Sequence, residues 1–313
     1  MTERVGANPS MVASAASATG SIYDLGYRRY EGPRLGRAAA VRALILHSFA
    51  TAYGIGRGGR AKIAPMVFGA IAIIPAVVIV GILTLATRFG AREQFEAGAP
   101  IGYDSYFTSI SAVIVLFCAA QAPELFSRDQ RNGVIALYFA RALRRSDYSL
   151  GRMLGFFLAI LLLLLFPQTV LFLGRLLLSI NFGATLAEDV PKIPAIVLQS
   201  VLAAGVLGGL AMAVSAFTPR RAYATAGIIA IVLIPGLVSS VVIDLGSGGL
   251  GDWLTLLSPG TVLDSTNSLL YGKDLPSNLF FFQLPHWTFF LSAAVMAVAA
   301  VVIVVRRFAR ITT

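Results

Sequence analysis

The chain has 313 residues, 57% of them hydrophobic and only 13% charged, with 25 Lys and Arg against 15 Asp and Glu for a net charge of +10. That much apolar surface exceeds what one water-soluble core can hide, so the composition asks for a bilayer as solvent and excludes an ordinary soluble domain. In so apolar a chain the basic balance reads as a topology signal rather than a nucleic-acid footprint, and no nucleic-acid partner is expected.

Residues 1–34, with the small and polar run MVASAASATG, lack the apolar core of a signal peptide and read as a cytoplasmic N-terminal tail. Over residues 35–62, Val41, Leu44, Ile45, Phe49 and Tyr53 fall on one helical face while Arg37, Arg42 and His47 turn towards the other. Two readings fit: an amphipathic helix lying in the membrane interface, or a soluble helix packed on cytoplasmic loops. Either one enters the first span through the basic hinge GIGRGGRAK.

Residues 63–305 form the transmembrane domain. Crossing a bilayer takes about 20 helical residues, and six stretches suffice. They run from Ile63 to Thr87, Ser105 to Phe126, Leu154 to Leu178, Ile193 to Phe217, Ala222 to Ile243 and Pro285 to Val305. Pro75, Pro167 and Pro235 lie inside spans, each removing one intrahelical hydrogen bond. The only cysteine, Cys118, is in the second span, which excludes an internal disulfide and a zinc cluster. Residues 244–284 mix Trp253, Leu254, Leu256 and Leu257 with turn formers. They read as the one long extracytoplasmic segment: a surface loop, or short helices that cap the bundle or dip into the outer leaflet. Residues 306–313 are a second cytoplasmic tail.

With the N-terminus inside, twenty of the 25 Lys and Arg fall on the cytoplasmic side, and Arg88, Arg92, Arg175, Lys192 and Lys273 remain outside. This asymmetry places both termini in the cytoplasm. No GxxxxGK[ST] phosphate loop and no HExxH motif occurs, and His47 and His286 fall at opposite faces. The chain is therefore expected to be non-catalytic, with no catalytic, cofactor-binding or metal-binding residue of its own. The middles of the spans hold no Asp, Glu, Lys or Arg, which argues against an ion-coupled carrier. Their sparse polarity consists of Gln121 and Glu124 at the inner end of span two, then Gln168, Gln199, Ser239 and Ser240. The last four are the candidate lining of a translocation path; the plainer use of each is a hydrogen bond between helices. Gly205 and Gly209 form a small-xxx-small pair suited to close helix packing within the subunit or, less commonly, between subunits.

The densest basic cluster follows the second span. Within residues 127–150, Val134, Leu137, Tyr138 and Arg141 share one helical face, and Ser146 can cap the third span. By physical chemistry alone this is either a solvated loop that fixes topology or a short amphipathic helix on the inner surface. The order of residues decides. RDQRNGVIALYFARALRRSDYSLGRMLGFF resembles the cytoplasmic segment after the second span in membrane subunits of ATP-binding-cassette transporters of the type 2 class. The matching positions are Arg128, Asp129, Arg131 and Gly133, then Leu137, Tyr138 and Arg141, then Arg145, Asp147, Tyr148, Gly151 and Arg152. Upstream, IYDLGYRRYEGPRLGR is similar to the N-terminal entry of bacterial permeases of that class. The chain departs from the family in having Ala142 where proline is common and Arg152 where lysine is common.

The resemblance implies an all-α permease subunit of an ATP-driven exporter in the bacterial inner membrane, working as a dimer with a second copy or a sister permease among membrane lipids. A separate ATPase subunit would carry ATP and Mg. Residues Arg128, Asp129, Arg131, Gly133, Leu137, Tyr138, Arg141, Arg145 and Tyr148 would couple the two chains. The alternative class is a stand-alone secondary carrier, channel or assembly scaffold.

Overall fold

The computed structural model describes residues 32, 35–91, 102–140, 143–179, 181–245, 248–275, 279 and 284–310. Among these there is no strand. The helices are α1 (Gly36–Ala52), α2 (Gly59–Arg88), α3 (Tyr103–Leu125), α4 (Ser127–Arg131), α5 (Ile135–Phe139), α6 (Arg145–Leu177), α7 (Phe182–Asp189), α8 (Ile193–Ala203), α9 (Gly209–Phe217), α10 (Arg221–Asp244), α11 (Gly248–Leu256), α12 (Pro259–Leu270) and α13 (Trp287–Ala309). Six units are long and apolar enough to span a membrane: α2, α3 continued by α4, α6, the run from α7 to α9, α10 and α13. The six expected spans are all present, and α2, α6 and α10 continue through Pro75, Pro167 and Pro235.

The centre of the bundle is aromatic. Phe117 of α3 stacks on Phe156 of α6 with ring centroids 6.2 Å apart, and the Tyr53 hydroxyl donates to the Ala159 carbonyl at 2.7 Å. Tyr106 similarly donates to the Ala72 carbonyl at 3.0 Å, so each buried phenol has a partner. The periphery is the reverse. α2 exposes Ile63, Met66 and Ile74, and α10 exposes Leu233, Ile234 and Leu237, an apolar surface that water cannot stabilise but lipid can.

Helix boundaries depart from the sequence reading at two charged places. The third span starts at Arg145, well before Leu154, and its cap is Asp147 rather than Ser146: the Asp147 carboxylate accepts from the Arg144 amide at 3.0 Å and from both Nε and Nη2 of Arg37, at 2.7 and 2.6 Å. A carboxylate at the N3 position offsets the free amides of a first turn more strongly than a serine two residues in. The fourth span begins at Phe182 instead of Ile193, because Asn181 caps α7 by accepting from the Ala184 amide at 3.2 Å. A 3-10 turn over Val190–Lys192 and a π turn over Ala204–Gly208 carry that run on to Phe217. Residues 244–284 are not a plain loop, since α11 and α12 lie there and α12 buries Val262 and Leu263 against the bundle.

Small residues set the closest approaches. Cβ atoms added at Gly205 and Gly209 would lie 3.3 and 3.0 Å from the Cβ atoms of Ala297 and Ala300, so this pair packs α13 inside the subunit. α1 lies on α6, with Leu44, Ser48, Thr51 and Ala52 buried and Arg42 and His47 exposed. At this crossing a Cβ on Gly155 would sit 2.5 Å from Ser48 Cβ and 2.6 Å from the Ile45 carbonyl oxygen. Neither atom is the free end of a flexible chain, so α1 itself would have to move. Gly155→Ala is expected to cost about 1–3 kcal/mol by overpacking and to speed proteolysis between α1 and α2. Gly260→Ala, with nothing within 4 Å of the added carbon, provides the control. Equal unfolding midpoints for the two variants in detergent would refute the α1–α6 contact.

Candidate functional site

One end of the bundle collects the basic residues, and its contacts converge on α6. Arg152, 2% exposed, donates from Nη2 to Asp129 Oδ2 at 2.5 Å and to the Tyr138 hydroxyl at 2.9 Å. Tyr148 donates to the same Asp129 oxygen at 2.8 Å, and the Arg152 guanidinium lies 5.4 and 5.8 Å from the ring centres of Tyr138 and Tyr148. Burying a carboxylate is tolerable only with such pairing. Phe126, Phe139 and Phe308 surround Tyr148 with centroids 5.3–5.9 Å away, and Arg145 donates to the Ala309 carbonyl at 3.1 Å. In this way α5 is mounted on the ends of three spanning units: by Tyr138 and Phe139 on α6, through Asp129 on α4, and through Tyr148 and Arg145 on α13.

Glu124 makes a second tie at this end, accepting from Arg57 at 2.5 Å and Arg221 at 2.8 Å, so the starts of α2 and α10 meet the end of α3. Burial, and next the Arg152 guanidinium, hold the His47 imidazole below its ordinary range.

The opposite end carries a similar knot. Arg175, also on α6, donates from Nε to Asp189 at 2.8 Å, and the Tyr103 hydroxyl donates to the same oxygen at 3.1 Å. Lys192 adds a contact of 3.1 Å to the other carboxylate oxygen. Arg152 and Arg175 are 23 residues apart in one continuous helix, which is about 34 Å at 1.5 Å per residue. The hydrocarbon core of a bilayer is about 30 Å thick, so the two charged knots are spaced like its two surfaces.

The coupling residues read from the sequence divide into two groups. Arg128, Arg131 and Leu137 are exposed, Leu137 at 67%, whereas Asp129 and Tyr148 are turned inward and buried. Asp129 and Tyr148 therefore act as mounting groups and present no surface to another chain; the acid pairs across 23 residues with Arg152, a partner no local pattern reveals. Arg145 is half-buried against α13, and Arg141 lies outside the described residues. The expected single helix is also broken in two. Gly133 adopts φ +65°, a left-handed conformation that ends α4 and lets the chain turn into α5. Val134, Leu137 and Tyr138 nevertheless line one groove, together with Leu44 of α1.

Of the four polar residues assigned to a path, Gln168 and Gln199 meet other elements and the two serines bond back within α10. Gln199 donates to Asn267 at 2.6 Å and accepts from Tyr271 at 3.1 Å, tying α8 to α12 and the residue beyond it. Ser239 and Ser240 bond back to the carbonyls of Gly236 and Leu237. Gln168 donates weakly to Ser200 at 3.5 Å, and its buried Oε1 has no partner among the described residues. None of the four lines the groove of about 640 Å³ between α3, α10 and α12, where Thr108, Ser111, Ser258, Thr261 and Asp264 supply the polarity.

The chain matches no protein-family model and no curated protein. Fold and chemistry together define its class: an all-α, multi-pass membrane protein with six spanning helices.

Proposed function

We propose that this chain is the permease subunit of an ATP-driven exporter resembling the type 2 class of ATP-binding-cassette transporters, with the basic end in the cytoplasm of a bacterial cell. It works beside a second permease copy or a sister, and ATP is hydrolysed on a separate subunit. One observation carries this reading: α5 projects at the basic end with Leu137 exposed, yet is fixed through Tyr138, Phe139, Tyr148 and Asp129 to α4, α6 and α13. An exposed element so mounted can transmit a push from a partner into several spans at once, whereas a solvated topology loop needs no such anchoring. The groove between α3, α10 and α12 then faces the second permease or lipid, and each subunit supplies half of a path.

The test is co-purification in mild detergent with a phosphate-loop ATPase of the host cell. The variant Arg131→Glu, Leu137→Asp changes only exposed side chains and is expected to reduce ATPase capture by about tenfold or more at wild-type expression and folding, as loss of a central contact does. Failure of the wild-type chain to capture any ATPase would overturn the transporter reading. Capture unchanged in the variant would remove α5 as the docking element.

A further inference from the structure

At the basic end two cavities meet. One, of about 480 Å³, is polar, lined by Arg57, Arg128 and Arg152 with Glu124, Asp129 and Thr51 among its other walls. The second, of about 540 Å³, is an apolar groove between α1 and α5, lined by Ala40, Ala43, Leu44, Val134 and Leu137. His47, Val134 and Tyr138 belong to both linings, so the two are continuous.

Their charges do not cancel. Both carboxylates in the polar cavity are already engaged, Glu124 by Arg57 and Arg221 and Asp129 by Arg152 and Tyr148. Arg128 is exposed and makes no ion pair among the described residues. The Nε of the buried Arg152 has no hydrogen-bond partner among them either. A fixed surplus of guanidinium donors with one unsatisfied buried N–H calls for an acceptor of negative charge, and phosphate oxygens suit guanidinium geometry. This donor set opens onto an apolar groove where spanning helices begin and end, the depth at which lipid headgroups lie.

We propose that the paired cavities form a binding site for one anionic phospholipid of the surrounding bilayer, its phosphate near Arg128 and Arg152 and an acyl chain against Ala43, Leu44 and Val134. A lipid seated there bridges α1 and the α4–α5 turn, and it occupies the site whether or not another subunit is docked. The assignment depends only on the membrane placement of the bundle.

The protein is reconstituted in nanodiscs of phosphatidylcholine containing one quarter phosphatidylglycerol, extracted in mild detergent, and its retained lipids are counted by native mass spectrometry. Wild type is expected to keep one phosphatidylglycerol in preference to phosphatidylcholine. Arg128→Glu is expected to lower that preference by about tenfold or more. Ala43→Trp, which fills the apolar groove, should abolish retention without changing the thermal midpoint of the lipid-free protein. Equal retention by Arg128→Glu and wild type overturns the site. If inorganic phosphate alone raises the thermal midpoint as much as the lipid does, and Ala43→Trp leaves that rise intact, the cavity holds free phosphate and the lipid assignment fails.

Discussion

Arg152→Met is expected to destabilise the folded protein by about 3–5 kcal/mol, because it leaves the Asp129 carboxylate buried without its cation. Asp129 is 8% exposed, and among the described residues Tyr148 would remain as its only hydrogen-bonding side chain. The Tyr138 hydroxyl loses its donor in the same step, so α5 should come loose before the bundle does. Protease cleavage between α4 and α6 should therefore rise first, followed by a lower unfolding midpoint in detergent. The double variant Arg152→Met, Asp129→Leu is expected to recover most of the loss, since exchanging a whole buried pair for apolar groups of similar size is commonly close to neutral. A single-variant cost below about 1 kcal/mol would mean that water reaches the pair, and the knot would then be a surface contact. A double variant no better than the single would assign the loss to packing and not to charge.

The same knot shows where sequence reasoning works and where it stops. Six apolar runs of sufficient length are hard to mistake, since a bilayer constrains length and polarity far more tightly than a soluble core does. The spans are accordingly legible from Ile63 onwards. Charged residues next to a span, in contrast, read as solvated ends, and this is where the boundaries slipped. Arg145 to Met153 and Phe182 to Lys192 are helical or nearly so because their charges find partners in other elements: Asp147 with Arg37, Asp129 with Arg152, Asp189 with Arg175. Those partners lie 110, 23 and 14 residues away, beyond any window of local periodicity. Within the basic stretch the structure leaves Arg128, Arg131 and Leu137 exposed, but no local pattern shows that Asp129 and Tyr148 point inward. Gly133, between the basic turn SRDQR and an apolar run, is the local residue at which the break falls.

Asp189→Ala tests the knot at the other end and is expected to cost a similar amount, about 3–5 kcal/mol. Asp189 is 1% exposed and receives Arg175, Lys192 and Tyr103, so its removal leaves a buried guanidinium whose remaining carboxylate contact, Glu188, lies 3.4 Å away. Glu188 gives an internal control: its own side chain is 56% exposed, so water screens its contacts with Arg175 and Lys192. Glu188→Ala should cost less than about 1 kcal/mol, the range of exposed ion pairs. The contrast follows from solvation alone, because both acids contact the same two cations. Unfolding midpoints of the two variants, measured in one detergent and at one salt concentration, decide the matter. Equal losses would show that the cluster acts as one screened network. A loss confined to Asp189 would establish that α6 is pinned by a buried arginine at each end, with the apolar length between them free to match the bilayer.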